Sequence, residues 1–350
     1  MNTGMTAPRL LALKTAVPGH VLDQNLVAEG VRLLFGQRDE IERMIPVFAN
    51  TGILRRYSCV PPEWYLEPHG WRERNSVYIE NAVALLERAA RACLDEAGLS
   101  PADIDGVIAV STTGIATPSL DALIMERMGL RRDAERLPIF GLGCAGGVLG
   151  LARAGTMAKA RPGSKVLFLA VELCALTFRK NDVSKSNIVA TALFGDGAAA
   201  AILSTEGEGP RLTAHGEHTW PHSLDIMGWD VEQDGFRAIF AQSIPQLVAE
   251  NLEPVLSDFL RKNGLALADI DGFACHPGGA KVLDALERVL KLAPGGLAAS
   301  REVLRDYGNM SSVTVMFVLE RMNVRAMRRR TLLSSLGPGF TAAFAVLDGR

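Results

Sequence analysis

The chain has 350 residues, of which 48% are apolar and 22% are charged, and its formal net charge is −2. This composition is typical of a globular protein with a large core and is too apolar for a disordered chain. The near balance of 37 basic and 39 acidic residues excludes a strongly basic nucleic-acid-binding protein. No apolar run approaches the roughly 20 residues that cross a bilayer, so we expect no membrane span.

The five cysteines are widely spaced, which excludes a disulfide framework and any zinc motif built from closely spaced cysteines. The first residues lack a basic segment followed by a sustained apolar one, so no signal peptide is predicted. We therefore expect a cytoplasmic protein with reduced thiols.

An internal repeat is the main organisational signal. Residues 97–106, AGLSPADIDG, match residues 263–272, NGLALADIDG. Apolar residues at helical spacing predict an amphipathic helix before each copy, over 79–97 and 245–263, and a glycine closes each helix.

The repeat continues through a short apolar strand, a glycine-rich helix start, and a glycine-rich turn before another strand. These features span 107–110, 142–159 and 194–203 in the first half, and 273–275, 307–322 and 337–347 in the second. Their common order predicts a duplicated α/β unit, with halves 1–205 and 206–350 joined near residues 204–211. The two glycine-rich helix starts should then face each other, and a pocket between them is expected.

Cys144 lies at the first of these helix starts, within Gly-Leu-Gly-Cys-Ala-Gly-Gly. Small neighbours permit close approach of a ligand, and the positive end of a helix dipole favours a thiolate. The alternative is a small buried core cysteine. Core packing is the better interpretation for the other four cysteines, which are Cys59, Cys93, Cys174 and Cys275.

Two polar residues occupy related positions in the second half. His276 ends the repeated strand before Pro-Gly-Gly, where side chains reach the rim of a sheet. Asn309 matches Cys144 in position and could donate an amide hydrogen bond to an oxyanion. A satisfied loop histidine and a helix-capping asparagine are the alternatives. A thiol, an imidazole and an amide together could form an activated nucleophile with a stabilised oxyanion.

The motifs around these residues resemble those of the type III polyketide synthases, the chalcone-synthase-like branch of the thiolase fold. The resemblance covers nearly the whole chain, through GCAGG, TFR, FGDGAA, HPGG, YGNMSS and GPGF, which begin at residues 143, 177, 194, 276, 307 and 337. It implies a five-layered αβαβα body built from two similar halves. It also implies a homodimer, in which Thr117 stands where the family has a methionine that reaches the partner's cavity.

The resemblance further implies a decarboxylative Claisen condensation. Cys144, paired as a thiolate with His276, would take the acyl group of an acyl-CoA starter. His276 and Asn309 would hydrogen-bond the thioester oxygen of malonyl-CoA as CO2 leaves. This chemistry requires no metal and no redox cofactor.

Further site residues follow from the same resemblance. Phe194 matches the gate between the CoA tunnel and the cavity, and the second gate phenylalanine falls at Ala238, which would widen the cavity for a bulky starter. The remaining substrate-binding positions are Thr112, Thr177, Ser311, Gly337 and Pro338.

Basic residues should line the mouth of the CoA tunnel, because CoA carries several phosphates. Arg43 matches one of the family's basic positions, whereas Pro46 and Asn50 occupy two others. Arg55 and Arg56 could compensate, unless they are only solvated surface charges.

The segments 48–53, 63–68 and 70–75 resemble bacterial members that make alkylpyrones or alkylresorcinols from fatty acyl-CoA. An iterative synthase with a long or bulky starter is therefore the leading hypothesis, and lactone and aldol ring closure both stay open. A ketoacyl synthase III-type enzyme that performs one condensation is a second hypothesis, and an inactive acyl-binding paralogue is a third.

Overall fold

The computed structural model describes residues 6–36, 38–326 and 328–350. Its strands are β1 (Arg9–Ala16), β2 (His20–Asp23), β3 (Arg55–Ser58), β4 (Gly106–Val110), β5 (Glu135–Ile139), β6 (Val166–Leu173), β7 (Asp196–Ser204), β8 (Arg211–Thr219), β9 (Met227–Glu232), β10 (Gly235–Phe240), β11 (Gly272–Cys275), β12 (Arg330–Gly337) and β13 (Thr341–Asp348). Its helices are α1 (Gln24–Phe35), α2 (Asp39–Met44), α3 (Pro46–Asn50), α4 (Trp71–Ala97), α5 (Leu120–Met128), α6 (Gly146–Ala160), α7 (Lys185–Leu193), α8 (Ile244–Lys262), α9 (Ala280–Val289), α10 (Ala298–Tyr307) and α11 (Thr314–Arg321).

The two halves of the chain form sheets with the same order of strands. The first half runs β5-β4-β6-β7-β1 and the second runs β11-β12-β13-β8, and a single residue pair, Arg9 with Arg211, joins them. The orders β4-β6-β7-β1 and β11-β12-β13-β8 correspond, since each begins with a parallel pair and continues with antiparallel pairs. The first half adds β5, which is parallel to β4. The order confirms the duplicated α/β architecture that the repeat predicts.

Five layers follow from the alternation of side chains along the strands. In β7, the odd-numbered residues 199–203 face α6 and α11, whereas the even-numbered residues 198–202 face α4. In β13, the residues facing away from α6 pack against the α8–α9 layer. The helices α6 and α11 are therefore buried between the two sheets, and the predicted αβαβα body is confirmed.

The predicted elements of the repeat are present with small shifts in their ends. The helix predicted over 79–97 begins earlier, at Trp71, and ends at Ala97, and Gly98 after it adopts the left-handed conformation with φ 66°. Its counterpart α8 spans Ile244–Lys262, and Gly264 has φ 69°. Glycine suits both positions because it has no Cβ to clash in this conformation.

The two glycine-rich helix starts face each other, as the duplication predicts. A Cβ added at Gly147, in the first turn of α6, would lie 2.1 Å from the carbonyl oxygen of Ser312. Glycine is therefore required there for the two halves to approach. This contact brings the Cys144 turn of the first half beside the 309–312 segment of the second.

Candidate active site

The turn that carries Cys144 is held by contacts from both halves of the chain. Cys144 lies in a single 3₁₀ turn, Gly143–Ala145, directly before α6. Gly143 has φ 48°, and its amide donates to Thr112 Oγ1 at 3.1 Å. An added Cβ at Gly143 would lie 2.5 Å from Pro338 Cδ, and one at Gly337 would lie 2.6 Å from the Leu142 carbonyl oxygen. Thr112, Gly337 and Pro338 thus contact the nucleophile turn and fix its shape.

His276 and Asn309 are anchored through their backbones. His276 follows β11, and its amide donates to the Ser334 carbonyl oxygen at 2.8 Å. The Asn309 amide donates to the Leu193 carbonyl oxygen at 2.8 Å. Asn309 Oδ1 accepts the Ser311 amide at 2.8 Å, which leaves Nδ2 as the donating end, 3.3 Å from the Gly278 carbonyl oxygen.

One cavity of about 1070 Å³ is lined by Cys144, His276 and Asn309 together. The side chains come from the start of α6, the end of β11 and the segment after α10, so three distant stretches of sequence converge. Arg43 lines the outer part of the same cavity. This arrangement is a built pocket around a thiol, an imidazole and an amide.

Burial dominates the electrostatics of the site. It raises the pKa of Cys144 to about 12, although a side-chain hydrogen bond with Ser311 lowers it. Burial lowers the pKa of His276 to about 3, and neither ring nitrogen has a hydrogen-bond partner in the described part of the chain. The free site therefore favours a neutral thiol and a neutral imidazole, because desolvation outweighs the helix start that predicted a thiolate.

Glu172 is a buried carboxyl group beneath the site that the sequence analysis did not select. It lies on the fully buried strand β6 and accepts hydrogen bonds from the Thr112 amide at 3.0 Å, Thr113 Oγ1 at 2.9 Å and Ser312 Oγ at 2.7 Å. Thr112 belongs to the first half and Ser312 to the second. Glu172 thus ties the halves together directly behind the nucleophile turn.

We expect Glu172→Gln to change how stability depends on pH. Burial raises the pKa of Glu172 from 4.5 to about 7. The folded chain then binds more protons than the unfolded chain between these values, so Glu172 lowers stability as pH rises through this range. The variant should gain about 3 kcal/mol in free energy of unfolding, relative to the parent, between about pH 4.5 and about pH 8.

Denaturant unfolding of both proteins across this pH range measures the effect. Glu208→Gln, on an exposed loop, controls for the loss of one negative charge. A stability difference that stays constant with pH would contradict the assignment of Glu172 as the titrating group.

The gate region holds an aromatic cluster that differs from the expectation. Phe194 is buried, and its ring lies 5.7 Å from Trp229 and 5.5 Å from Phe240, measured between centroids. Ala238 contacts the same cluster, but Phe240, two residues along the same face of β10, lines the cavity. Phe240 therefore places an aromatic ring beside the gate position that Ala238 occupies. The period-2 pattern of β10 could have revealed Phe240.

The two remaining predicted substrate positions, Ser311 and Thr177, lie in different surroundings. Ser311 is buried with φ 48° and hydrogen-bonds Cys144 through its side chain. Thr177 Oγ1 donates to the Cys174 carbonyl oxygen at 2.7 Å and lines a second cavity behind Phe194.

The three arginines predicted to bind CoA lie in different environments. Arg43 lines the outer part of the cavity. Arg55 is exposed on β3, and the cavity lining does not include it. Arg56 is 2% exposed and donates from Nη1 to the Thr191 and Phe194 carbonyl oxygens at 2.6 and 2.7 Å. Its assignment to CoA is wrong, because alternate residues of β3 point inward. The Arg56 side chain is buried against the backbone of the gate residue Phe194.

Among residues 6–36, 38–326 and 328–350, no group of three or more His, Cys, Asp or Glu side chains is arranged to hold a metal ion. No helix there is long and apolar enough to cross a membrane.

Family comparisons cover both halves of the chain. The family description "Chalcone and stilbene synthases, N-terminal domain" matches residues 2–207, and the corresponding C-terminal domain matches residues 213–348. The chain belongs to the chalcone and stilbene synthase family. It is an enzyme of the type III polyketide synthase group, an acyltransferase with the thiolase fold.

Individual relatives match the sequence of this chain over most of their length. The 1,3,6,8-tetrahydroxynaphthalene synthase of Streptomyces peucetius subsp. caesius is 37% identical, with 96% of this chain and 92% of that protein covered. The 3,5-dihydroxyphenylacetyl-CoA synthase of Amycolatopsis orientalis is 33% identical, with 86% and 84% covered. The crystal structure of the tetrahydroxynaphthalene synthase of Streptomyces coelicolor A3(2) superposes with a TM-score of 0.93, at 31% identity and with 97% and 99% covered.

Proposed function

We propose that this type III polyketide synthase extends a long-chain acyl-CoA starter with malonyl-CoA and cyclises the product to an alkylpyrone or alkylresorcinol. The observation that carries the starter class is the second cavity, of about 390 Å³, behind Phe194. It lies between α1, the 3₁₀ turn Pro62–Leu66 and residues 174–178, and its lining is mainly apolar.

The second cavity suits an acyl tail. Phe194, Cys174 and Ala190 form its inner end, beside the gate. Leu26 and Leu33 line its outer end and are 66% and 85% exposed, so the cavity reaches the surface. Each buried CH₂ of a tail would contribute about 0.8 kcal/mol. A long chain is therefore favoured over a short one.

Loading begins with attack of Cys144 Sγ on the starter thioester carbonyl. The thiol proton passes to the His276 imidazole, which lines the same cavity and is neutral in the free site. The C–S bond to CoA breaks, CoA leaves as a thiolate that takes a proton from solvent, and His276 keeps the thiol proton that it donates in the next step. The acyl group is then held on Cys144 as a thioester.

Extension uses the decarboxylation of malonyl-CoA. As its terminal carboxylate leaves as CO2, the bonding electrons form an enolate on the thioester. Asn309 Nδ2 and the His276 ring donate to the enolate oxygen. The enolate carbon attacks the acyl carbonyl on Cys144 and expels the Cys144 thiolate. The product is a β-ketoacyl-CoA two carbons longer, which can reload on Cys144 for another round.

The direct experiment incubates the purified protein with labelled malonyl-CoA and a panel of short, long and aromatic acyl-CoAs, with products identified by mass. Cyclised tri- or tetraketides from long starters would support the proposal. Products that stop after one condensation would favour the ketoacyl synthase reaction. Absence of both product and acyl-enzyme with every starter would favour an acyl-binding paralogue.

A substitution within the second cavity tests the tail site separately. Val27→Trp, on the α1 face that lines the cavity, should fill it with a bulky ring and reduce kcat/KM for long starters by about 10-fold or more. Short starters should keep their rates, because they do not reach α1.

Competition between short- and long-chain acyl-CoAs measures this preference. Leu224→Trp, an exposed position that does not line either cavity, is the matched control. An equal loss for all chain lengths would place the tail elsewhere.

A homodimer is part of the proposal. In the described part of the chain β5 pairs only with β4, so its outer edge is open. Leu137 and Phe140 are exposed beside that edge, and Thr117 is exposed in a loop of the same half. Open apolar edges favour pairing with another chain. Analytical ultracentrifugation should find a dimer. We also propose that the protein is cytoplasmic, because Cys144 stays reduced there.

A further inference from the structure

Three basic side chains surround the outer part of the catalytic cavity. Arg43 comes from α2, Lys185 is the first residue of α7, and Lys281 is the second residue of α9. All three are exposed, and all three line the cavity that contains Cys144. Residues far apart in sequence thus place positive charge around one mouth.

These three charges are available for a ligand. In the described part of the chain, no ion pair or side-chain hydrogen bond involves any of them. Among the described residues that line this cavity, the one acidic residue is Asp284, and it pairs with Arg301 at 2.7 Å. The mouth therefore carries a net positive charge that favours an anion.

We propose that Lys185 and Lys281, together with Arg43, bind the phosphates of the CoA carrier. The inference rests on the proposed function, because it concerns the carrier of the same thioester substrates. Pro46 and Asn50 line the same cavity and carry no charge. Lys185 on α7 and Lys281 on α9 supply positive charge that the residues at positions 46 and 50 do not.

The position of the mouth fits the shape of the carrier. Cys144 and His276 lie at the inner part of the cavity, and the three basic residues lie where it meets solvent. A CoA thioester has its reactive carbonyl at one end and its phosphates at the other, joined by a long uncharged arm. The cavity volume of about 1070 Å³ accommodates that arm between the nucleophile and the basic mouth.

The test separates binding of the phosphates from the chemistry at Cys144. Lys185→Gln and Lys281→Gln should each raise the KM for malonyl-CoA by about 3- to 10-fold, and the double variant by about 10- to 50-fold, with kcat unchanged. The KM for the N-acetylcysteamine thioester of malonate, which has no phosphate, should not change. The salt dependence of the malonyl-CoA KM should weaken in the double variant.

Lys262→Gln, an exposed lysine on α8 that pairs with Asp258, is the matched control and should behave as the parent. Calorimetry with free CoA gives a second readout that needs no turnover. Unchanged CoA affinity in the double variant, or equal KM changes for both malonyl thioesters, would overturn the inference. A parent protein that binds CoA through these lysines yet forms no polyketide would contradict only the proposed function.

Discussion

Replacing Cys144 by alanine should abolish polyketide formation, by about 10⁴-fold or more, because no other group can hold the growing chain. The other four cysteines are buried, so none offers a second nucleophile. Release of CO2 from malonyl-CoA should persist in the variant, since the donors from His276 and Asn309 remain in place. Loss of condensation with retained decarboxylation would separate the two halves of the mechanism.

Intact-protein mass spectrometry after incubation with a long-chain acyl-CoA measures loading directly. The parent should gain one acyl group and the Cys144→Ala variant none. Cys93→Ala, within α4 and remote from the cavity, is the matched control and should load as the parent does. An acyl adduct on the Cys144→Ala variant would show that the nucleophile is elsewhere.

Replacing Asn309 by alanine should reduce decarboxylation of malonyl-CoA by about 10²- to 10³-fold, the usual loss for one oxyanion donor. The Ser311 amide binds Asn309 Oδ1, so Nδ2 is the donating end, with one hydrogen left for the substrate beside its bond to the Gly278 carbonyl oxygen. Loading of Cys144 should survive, because it does not use this amide. Asn309→Asp should be as slow as the alanine variant, since an ionised carboxylate keeps the shape but repels the enolate.

Rapid-quench measurement of acyl-enzyme and of labelled CO2 distinguishes these steps. The backbone hydrogen bonds of Asn309 to Leu193 and Gly195 do not depend on its side chain, so the fold should be retained. If loading and decarboxylation fell equally, Asn309 would be acting through the structure of the site and not as a donor.

The repeat made most of the fold predictable. A matched helix, strand and glycine-rich turn in each half predicted a duplicated α/β unit, and the family resemblance supplied the five layers. Cys144, His276 and Asn309 could be selected because each stands at a repeated boundary, where side chains reach the interface between halves. Local sequence patterns carry this information, since both helical and strand periodicities are short in range.

Features that depend on contacts between residues distant in sequence could not be predicted from local patterns. The two arginines of β3 look alike in sequence, but Arg56 is buried because its partners, Thr191 and Phe194, arrive about 135 residues later. Lys281 could be assigned only once α9 was placed beside the cavity. The protonation of Cys144 and His276 also follows from burial, and burial is a property of the assembled site.

The sequence around Glu172 carries a signal of a buried polar site. It is a single carboxyl group within the otherwise apolar stretch of β6. An acid on a fully buried strand needs several donors to compensate its desolvation. That requirement alone indicates a built polar site nearby.

The backbone joins the gate to the enolate donor. Phe194 and Asn309 form an isolated parallel bridge, in which the Asn309 amide donates to Leu193 and the Gly195 amide donates to Asn309 at 3.1 Å. We therefore expect that a starter large enough to shift Phe194 also shifts Asn309. Substitutions at this gate that change the accepted starter size should then change the rate of extension as well.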